Sequence, residues 1–321
     1  MQLHYNNFLR WDVERMKRIG LLTSGGDCQA LNATMRGVVK GLSNNLEELE
    51  VYGFDDGYKG LIYGNYRMLS SKDFSGILTR GGTILGTSRQ PFKLMRVPDE
   101  KGLDKVEAMK QTYHKLRLDC LVILGGNGTQ KTANLLREEG LNIIHLPKTI
   151  DNDIGITDHT PGYGSAARYI ARTTAEIGAD VKSLPIHVCI LEAMGRNAGW
   201  ITAASALARK KHGDAPHLIY LPERPFREEE FLADVKELYD RLGGVVVVAS
   251  EGLKDESGKP VVPPIFQTGR SVYYGDVGAY LAELVIKKLG IKARSEKPGL
   301  CGRASISLQS PVDREDRKSV V

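Results

Sequence analysis

Residues 147–153, PKTIDND, place the carboxylates Asp151 and Asp153 on either side of an amide, with a cation, Lys148, and a hydroxyl, Thr149, just ahead of them. A carboxylate so placed can take the proton of an attacking hydroxyl, and a second can hold a metal or a water. Where the electrophile is phosphorus, the rest of the reaction is positioning and charge neutralisation by Lys, Arg and metal. The same segment could also be an Asx-type turn in which both carboxylates cap backbone N–H groups. Upstream, residues 125–129 read GGNGT. A glycine turn between a strand and a helix aims free backbone N–H groups at one point, and the helix dipole adds positive potential there. That is a phosphate cradle a few residues from a cation and two carboxylates.

The elements around these residues must hold them at one edge. The apolar run 120–124, CLVIL, reads as a buried strand. Gly125 and Gly126 allow the sharp turn, and residues from Thr129 suit a helix that Gly140 closes. A second strand, 142–146, delivers Lys148, Asp151 and Asp153 to its carboxyl end, where open parallel sheets collect ligands. The pattern occurs earlier too: strand 17–23, turn 24–27 (SGGD) and a helix over about 30–42. Residues 50–54 form another strand, and a third polar, glycine-rich segment, 79–89, carries Arg89. Val106, Met109, Tyr113 and Leu116 recur at helical spacing as a core-facing stripe.

Beyond Asp153 a turn cluster at 158–162 marks a crossover. Helix 163–180, strand 186–191, helix 201–208, strand 218–221, helix 226–242, strand 245–249 and helix 275–289 follow, with 255–264 a surface excursion. Alternating strands and helices predict an α/β fold with mainly parallel sheets. A chain of 321 residues suffices for two domains, and 41% hydrophobic with 26% charged residues fits a soluble globular protein. The net charge of +5 suits anionic ligands but is too diffuse for nucleic acid. Cys28, Cys120, Cys189 and Cys301 show no paired metal spacing and read as reduced thiols of a cytoplasmic protein. Residues 1–16 read as an extension ahead of the first strand, without the apolar core of a signal peptide, and no run is apolar enough to span a membrane.

Taken in order, TSGGD (23–27), GGTILGTSR (81–89), GGNGT (125–129), PKTIDND (147–153), MGRNAGW (194–200) and SEG (250–252) resemble the 6-phosphofructokinase family. The match runs over residues 17–313, and PKTIDND with MGR is its most specific part. The resemblance implies two similar three-layer α/β domains with the active site in the cleft between them. A phosphoryl-donor domain would cover 17–163 with 302–321, and a sugar-phosphate domain 164–301. It implies phosphoryl transfer to the 1-hydroxyl of fructose 6-phosphate in glycolysis, with Mg2+, in a homo-oligomer whose sugar site borrows residues from a neighbouring subunit.

Carried over by motif, Asp151 is the base for the sugar hydroxyl and Asp153 its partner near the metal. Thr149 contacts substrate or the transferred phosphate, while Met194 and Arg196 hold the sugar and the transferring group. Glu251 bonds sugar hydroxyls, and Arg294 and Arg303 clamp the 6-phosphate, a role suited to guanidinium. Gly26, Arg89, Gly128, Thr129 and Lys148 face the donor.

The chain departs from the family pattern in four places. Asn127 stands where an acid is usual, so direct magnesium binding there is weaker. His187 takes the place of an arginine for the 6-phosphate, and Leu300 that of a histidine. The chain also stops soon after the last motif, which reads as a short C-terminus. The donor is divided: Gly128 points to ATP, whereas Lys148 is common in pyrophosphate enzymes. ATP is the expected donor and pyrophosphate the alternative. A weakly catalytic or non-catalytic sugar-phosphate binder is a further alternative. A nicotinamide oxidoreductase would need a GxGxxG fingerprint that TSGGDCQALNA lacks. A lipid or NAD kinase shares the glycine loop but not PKTIDND with MGR.

Overall fold

The computed structural model describes residues 16–88, 90–184, 187–267 and 272–315. The chain divides into two compact units, residues 1–148 with 311–321, and 149–310.

In the first unit, β1 (Lys17–Thr23), α1 (Leu31–Asn45), β2 (Leu49–Phe54), α2 (Tyr58–Tyr63) and β3 (Tyr66–Leu69) are followed by α3 (Lys105–Lys115), β4 (Cys120–Gly125), α4 (Asn127–Glu138) and β5 (Ile143–Pro147). Pro311–Glu315 adds a short helix. The strands form one sheet in the order β3-β2-β1-β4-β5. All neighbours are parallel except β2 and β3. Only the short α2 lies between those two strands, less than the crossover a parallel neighbour needs. The alternation of side chains along the strands makes a core on each face. Leu22, Phe54, Leu121 and Ile123 pack with Leu61, Met109, Tyr113 and Leu136 in one cluster. Leu21, Val122 and Leu124, of opposite parity, are buried too.

The second unit runs α5 (Tyr163–Ser183), β6 (Val188–Ala193), α6 (Trp200–Ala204), β7 (Leu218–Tyr220), α7 (Glu228–Leu242), β8 (Val245–Ser250), β9 (Pro264–Gln267), β10 (Val272–Tyr274), α8 (Val277–Leu289), β11 (Ala293–Glu296) and α9 (Leu300–Ala304). Its parallel sheet has the order β11-β6-β8-β7. Val188, Ile190, Val245 and Val247 pack against Phe231 and Val235 of α7 and Leu281 and Val285 of α8. Cys189 and Val246 pack on the other face with Val181 of α5. Both units are thus helix–sheet–helix layers, as the alternation of elements predicts. Among the described residues no helix is long and apolar enough to cross a membrane.

The structure corrects several expectations. The 201–208 helix is α6 followed by a 3-10 turn over Ser205–Ala208. Helix α4 begins at Asn127, two residues earlier than expected, because extended Gly126 ends the strand side of the turn. Four strands carried no readable signal: β3, the antiparallel pair β9 and β10, and β11. They are short, and β9 is exposed along its whole length while β11 alternates half-buried and exposed, so no apolar run announces them.

Candidate active site

In the first unit, β1 has β2 on one side and β4 on the other, so the strand order reverses between β1 and β4. Open α/β sheets bind ligands in the crevice at such a reversal. Both glycine turns leave from these two strands, and Ser24 N–H donates to Leu124 O at 2.9 Å. Gly25 has φ +91°, and a Cβ there would lie 3.7 Å from Lys148 Nζ and 3.8 Å from Thr129 Oγ1. Lys148 N–H donates to Gly125 O at 3.0 Å. The Lys148 ammonium donates to Gly26 O. Buried Lys148 therefore straps the end of β5 to the first glycine turn. The third glycine-rich segment joins them: Thr87 Oγ1 donates to Gly25 O at 2.8 Å and Thr23 Oγ1 to Gly86 O at 2.7 Å. Asn32 Nδ2 holds Gly82 O at 2.7 Å.

Gly26, Thr129 and Lys148 thus come together at one sheet edge. Asn127 and Gly128 lie exposed in the first turn of α4, where backbone N–H groups have no intrahelical partner. A Cβ at Gly128 would meet no protein atom within 4 Å, so that glycine keeps space open rather than relieving a packing clash. Arg89 lies outside the described residues.

In the second unit, PKTIDND continues as a turn pinned by neutral groups. Thr160 Oγ1 donates to Thr149 O at 2.6 Å, Thr160 N–H to Asn152 Oδ1 at 2.8 Å, and Asp151 N–H to Thr149 Oγ1 at 3.1 Å. Asn152 takes a left-handed φ of 54°. Asp151 is half-buried and Asp153 is exposed.

The adjacent strands β6 and β8 end side by side at Ala193 and Ser250. Just past them Gly195, at φ +108°, turns the chain, and Ser250 Oγ donates to Gly195 O at 2.8 Å. Glu251 accepts from Gly195 N–H at 3.3 Å and from the Arg196 guanidinium at 3.2 Å. A Cβ at Gly252 would come within 1.8 Å of Arg196 O, which is why SEG ends in glycine. Arg196 and Glu251 therefore form one ion pair at a carboxyl sheet edge, with Met194 next in the chain after the end of β6.

The two late arginines are placed differently. Arg294 lies on β11, paired with Cys189, and lines a cavity of about 470 Å³ with Tyr169, Asp180, His187 and Lys297. Met194 lines another, smaller cavity, with Tyr169, Pro298 and Gly302. Arg303 sits half-buried on α9. His187 precedes β6, at the amino edge of the sheet, with both ring nitrogens buried and without a hydrogen bond, the Asp180 carboxylate lying 4.0 Å from Nε2. Burial first, then Arg294, pushes its pKa down, so it stays neutral.

Two residues escaped the sequence reading. Glu192, buried at the end of β6, accepts from Gly278 N–H at 2.8 Å and pairs with Lys297 at 2.6 Å. Burial pushes its carboxyl up against the pull of Lys297. A lone acid inside the run VCILEA was the available signal. Tyr274 lies with its ring centroid 3.7 Å from the Arg196 guanidinium carbon. Nothing in the sequence marks it, because the contact depends on the β9–β10 ribbon. The cysteines are all free, and burial pushes the Cys28 thiol up to about 11, so it is no nucleophile.

Comparison with known proteins is consistent along the chain. An ATP-dependent 6-phosphofructokinase of Spirochaeta thermophila is 40% identical over 93% of this chain and 80% of its own length. A pyrophosphate–fructose 6-phosphate 1-phosphotransferase of Rhodospirillum rubrum is 34% identical over 94% of this chain and 77% of its own. A crystal structure of pyrophosphate-dependent phosphofructokinase from Marinobacter aquaeolei superposes with a TM-score of 0.78 at 29% identity, covering 95% of this chain and 74% of that one. Relatives named for either donor thus match at similar levels, and the identities do not separate the two. The phosphofructokinase family model matches residues 18–314, and the chain belongs to that family.

Proposed function

We propose that the protein transfers a phosphoryl group from ATP to the 1-hydroxyl of fructose 6-phosphate, giving fructose 1,6-bisphosphate. The observation that carries this reading is the Arg196–Glu251 pair, in which a carboxylate and a guanidinium 3.2 Å apart sit at the carboxyl ends of two adjacent parallel strands. Glu251 can accept from sugar hydroxyls while Arg196 meets the transferring group. Asp151 takes the proton of the 1-hydroxyl as that oxygen bonds to phosphorus, and the bond from phosphorus to the donor's bridging oxygen breaks. The donor's phosphates would lie against the glycine turns of the first unit, with Thr129 and the N-terminus of α4 supplying donors. Arg294 and Arg303 would clamp the 6-phosphate. Because Arg294 shares its cavity with His187 rather than with Met194, a second copy of the chain is the proposed source of the remaining sugar-site contacts.

No group of three or more His, Cys, Asp and Glu among the described residues forms a ready cage for a metal. That fits magnesium, which takes one or two carboxylates and completes its shell with phosphate oxygens and water. Asp153 would hold it, with Asn127 a weak neutral contributor. Bound there, it neutralises phosphate charge.

Pyrophosphate is the second reading for the donor, supported by Lys148 and by the relatives named for it. The exposed, uncrowded Gly128 favours ATP, since a nucleotide needs open space there. Purified protein assayed with fructose 6-phosphate and either MgATP or magnesium pyrophosphate is the test. The expected result is a kcat/KM at least tenfold higher with ATP. The reverse ratio would assign pyrophosphate, and no transfer with either would leave a sugar-phosphate-binding protein.

A further inference from the structure

The Arg196 guanidinium is held from two directions of different chemistry. Glu251 meets it through a hydrogen bond of 3.2 Å, and its Cζ lies over the Tyr274 ring, 3.7 Å from the ring centroid. Its Nε is buried without a hydrogen-bond partner. A second carboxylate at the face would fix the group but would cancel its charge and occupy its N–H donors. An aromatic face attracts the cation electrostatically and accepts none of the in-plane N–H groups. Stacking therefore restrains the guanidinium while leaving its donors and its charge for a phosphoryl oxygen.

The backbone delivers the ring to this place. Among the described residues, strands β9 and β10 pair only with each other, and their register shifts between Tyr273 and Tyr274, where Tyr274 comes to face Pro264. Such irregularities re-aim a side chain next to active sites. Proline lacks the N–H for a regular rung, which accounts for the shift. The next residue, Gly275, has no room for a side chain: a Cβ there would lie 2.1 Å from Val262 Cγ1. Asp276 then caps α8 by accepting from Ala279 N–H at 2.7 Å. Tyr274 is thus fixed between a shifted ribbon on one side and a packed, capped helix start on the other.

We infer that Tyr274 is a positioning residue for the reaction, presenting Arg196 to the transferring phosphoryl group by stacking on its guanidinium. The inference rests on the proposed role of Arg196. The test compares Arg196→Ala, Tyr274→Phe and Tyr274→Leu by steady-state kinetics with fructose 6-phosphate and the donor that turns over, alongside thermal unfolding. Phenylalanine keeps the π face and leucine removes it at similar bulk. The expected result is a kcat for Tyr274→Leu lowered by about 3–30-fold, matching a contact of about 0.5–2 kcal/mol. Tyr274→Phe should stay within about twofold, with equal melting temperatures for both, since a purely structural role would not separate them. Equal loss in Tyr274→Phe and Tyr274→Leu overturns the inference, as does full activity of Tyr274→Leu beside an inactive Arg196→Ala. Full activity of Arg196→Ala removes the role of Arg196 itself, and the inference with it.

Discussion

The two units use their cations in opposite ways. Lys148 is buried, and its ammonium is tied to a backbone carbonyl of the first glycine turn. Arg196 keeps 40% of its side chain exposed and is held by a carboxylate and a ring. The first arrangement makes a cation part of the scaffold: Lys148 fastens two loops and adds a fixed positive charge beneath them. The second keeps a cation available to a ligand. A lysine in PKTIDND is therefore explained by loop architecture without reference to the donor, so its presence says less about ATP or pyrophosphate than its sequence position implies.

The strongest contrast lies at the reaction itself. Asp151→Asn should lower kcat by about 10²–10⁴-fold while leaving the melting temperature near that of the parent. Steady-state kinetics beside calorimetry checks this, and activity within threefold of the parent would remove Asp151 as the base. A second contrast sets two glycines against each other. Gly252→Ala must displace the Arg196 carbonyl and should cost about 1–3 kcal/mol of stability together with most of the activity. Gly128→Ala meets nothing in the protein and should unfold like the parent, so any change in its kinetics reports the donor alone.

The cations give a smaller effect, measurable by denaturant unfolding. Lys148→Met leaves the Gly26 carbonyl without its partner and should cost about 1–3 kcal/mol. Arg196→Ala removes only a partly exposed pair and a stacking contact and should cost less than about 2 kcal/mol. If the two losses came out reversed, Lys148 would not be the structural member.

The smallest effect is one of pH. Burial lowers the pKa of His145, His187 and His217 below the ordinary 6.5, so all three are neutral in the folded chain. Unfolding lets them bind protons at a higher pH than the native state does. Their contribution is fully present above 6.5 and is lost as pH falls from there through the folded values. The melting temperature should therefore drop over this range, and His187→Leu should make the drop shallower. An unchanged slope would mean that folding does not lower the pKa of His187.

Much of the architecture was legible because buried parallel strands are continuous apolar runs with glycine turns at their ends. Residues 17–23, 120–124 and 245–249 read as strands for that reason, and the structure places strands there. The motifs TSGGD, GGNGT, MGR and SEG were legible too, since each pairs a strand end with glycines that the backbone needs: left-handed at Gly25 and Gly195, and sterically obligatory at Gly252. Local sequence thus determined which residues lie at strand ends and which chemistry they could offer. It could not decide which strand ends are neighbours. That Thr129, Gly25 and Lys148 converge follows from β4 lying between β1 and β5, a pairing between segments about a hundred residues apart. That Arg294 joins His187 rather than Met194 follows from the pairing of β11 with β6, a short strand with no apolar signature. Tyr274 reached Arg196 only through a ribbon whose exposed residues carry no period to read. Strand order is set by the sum of long-range packing across the sheet, and no window of local sequence contains that sum.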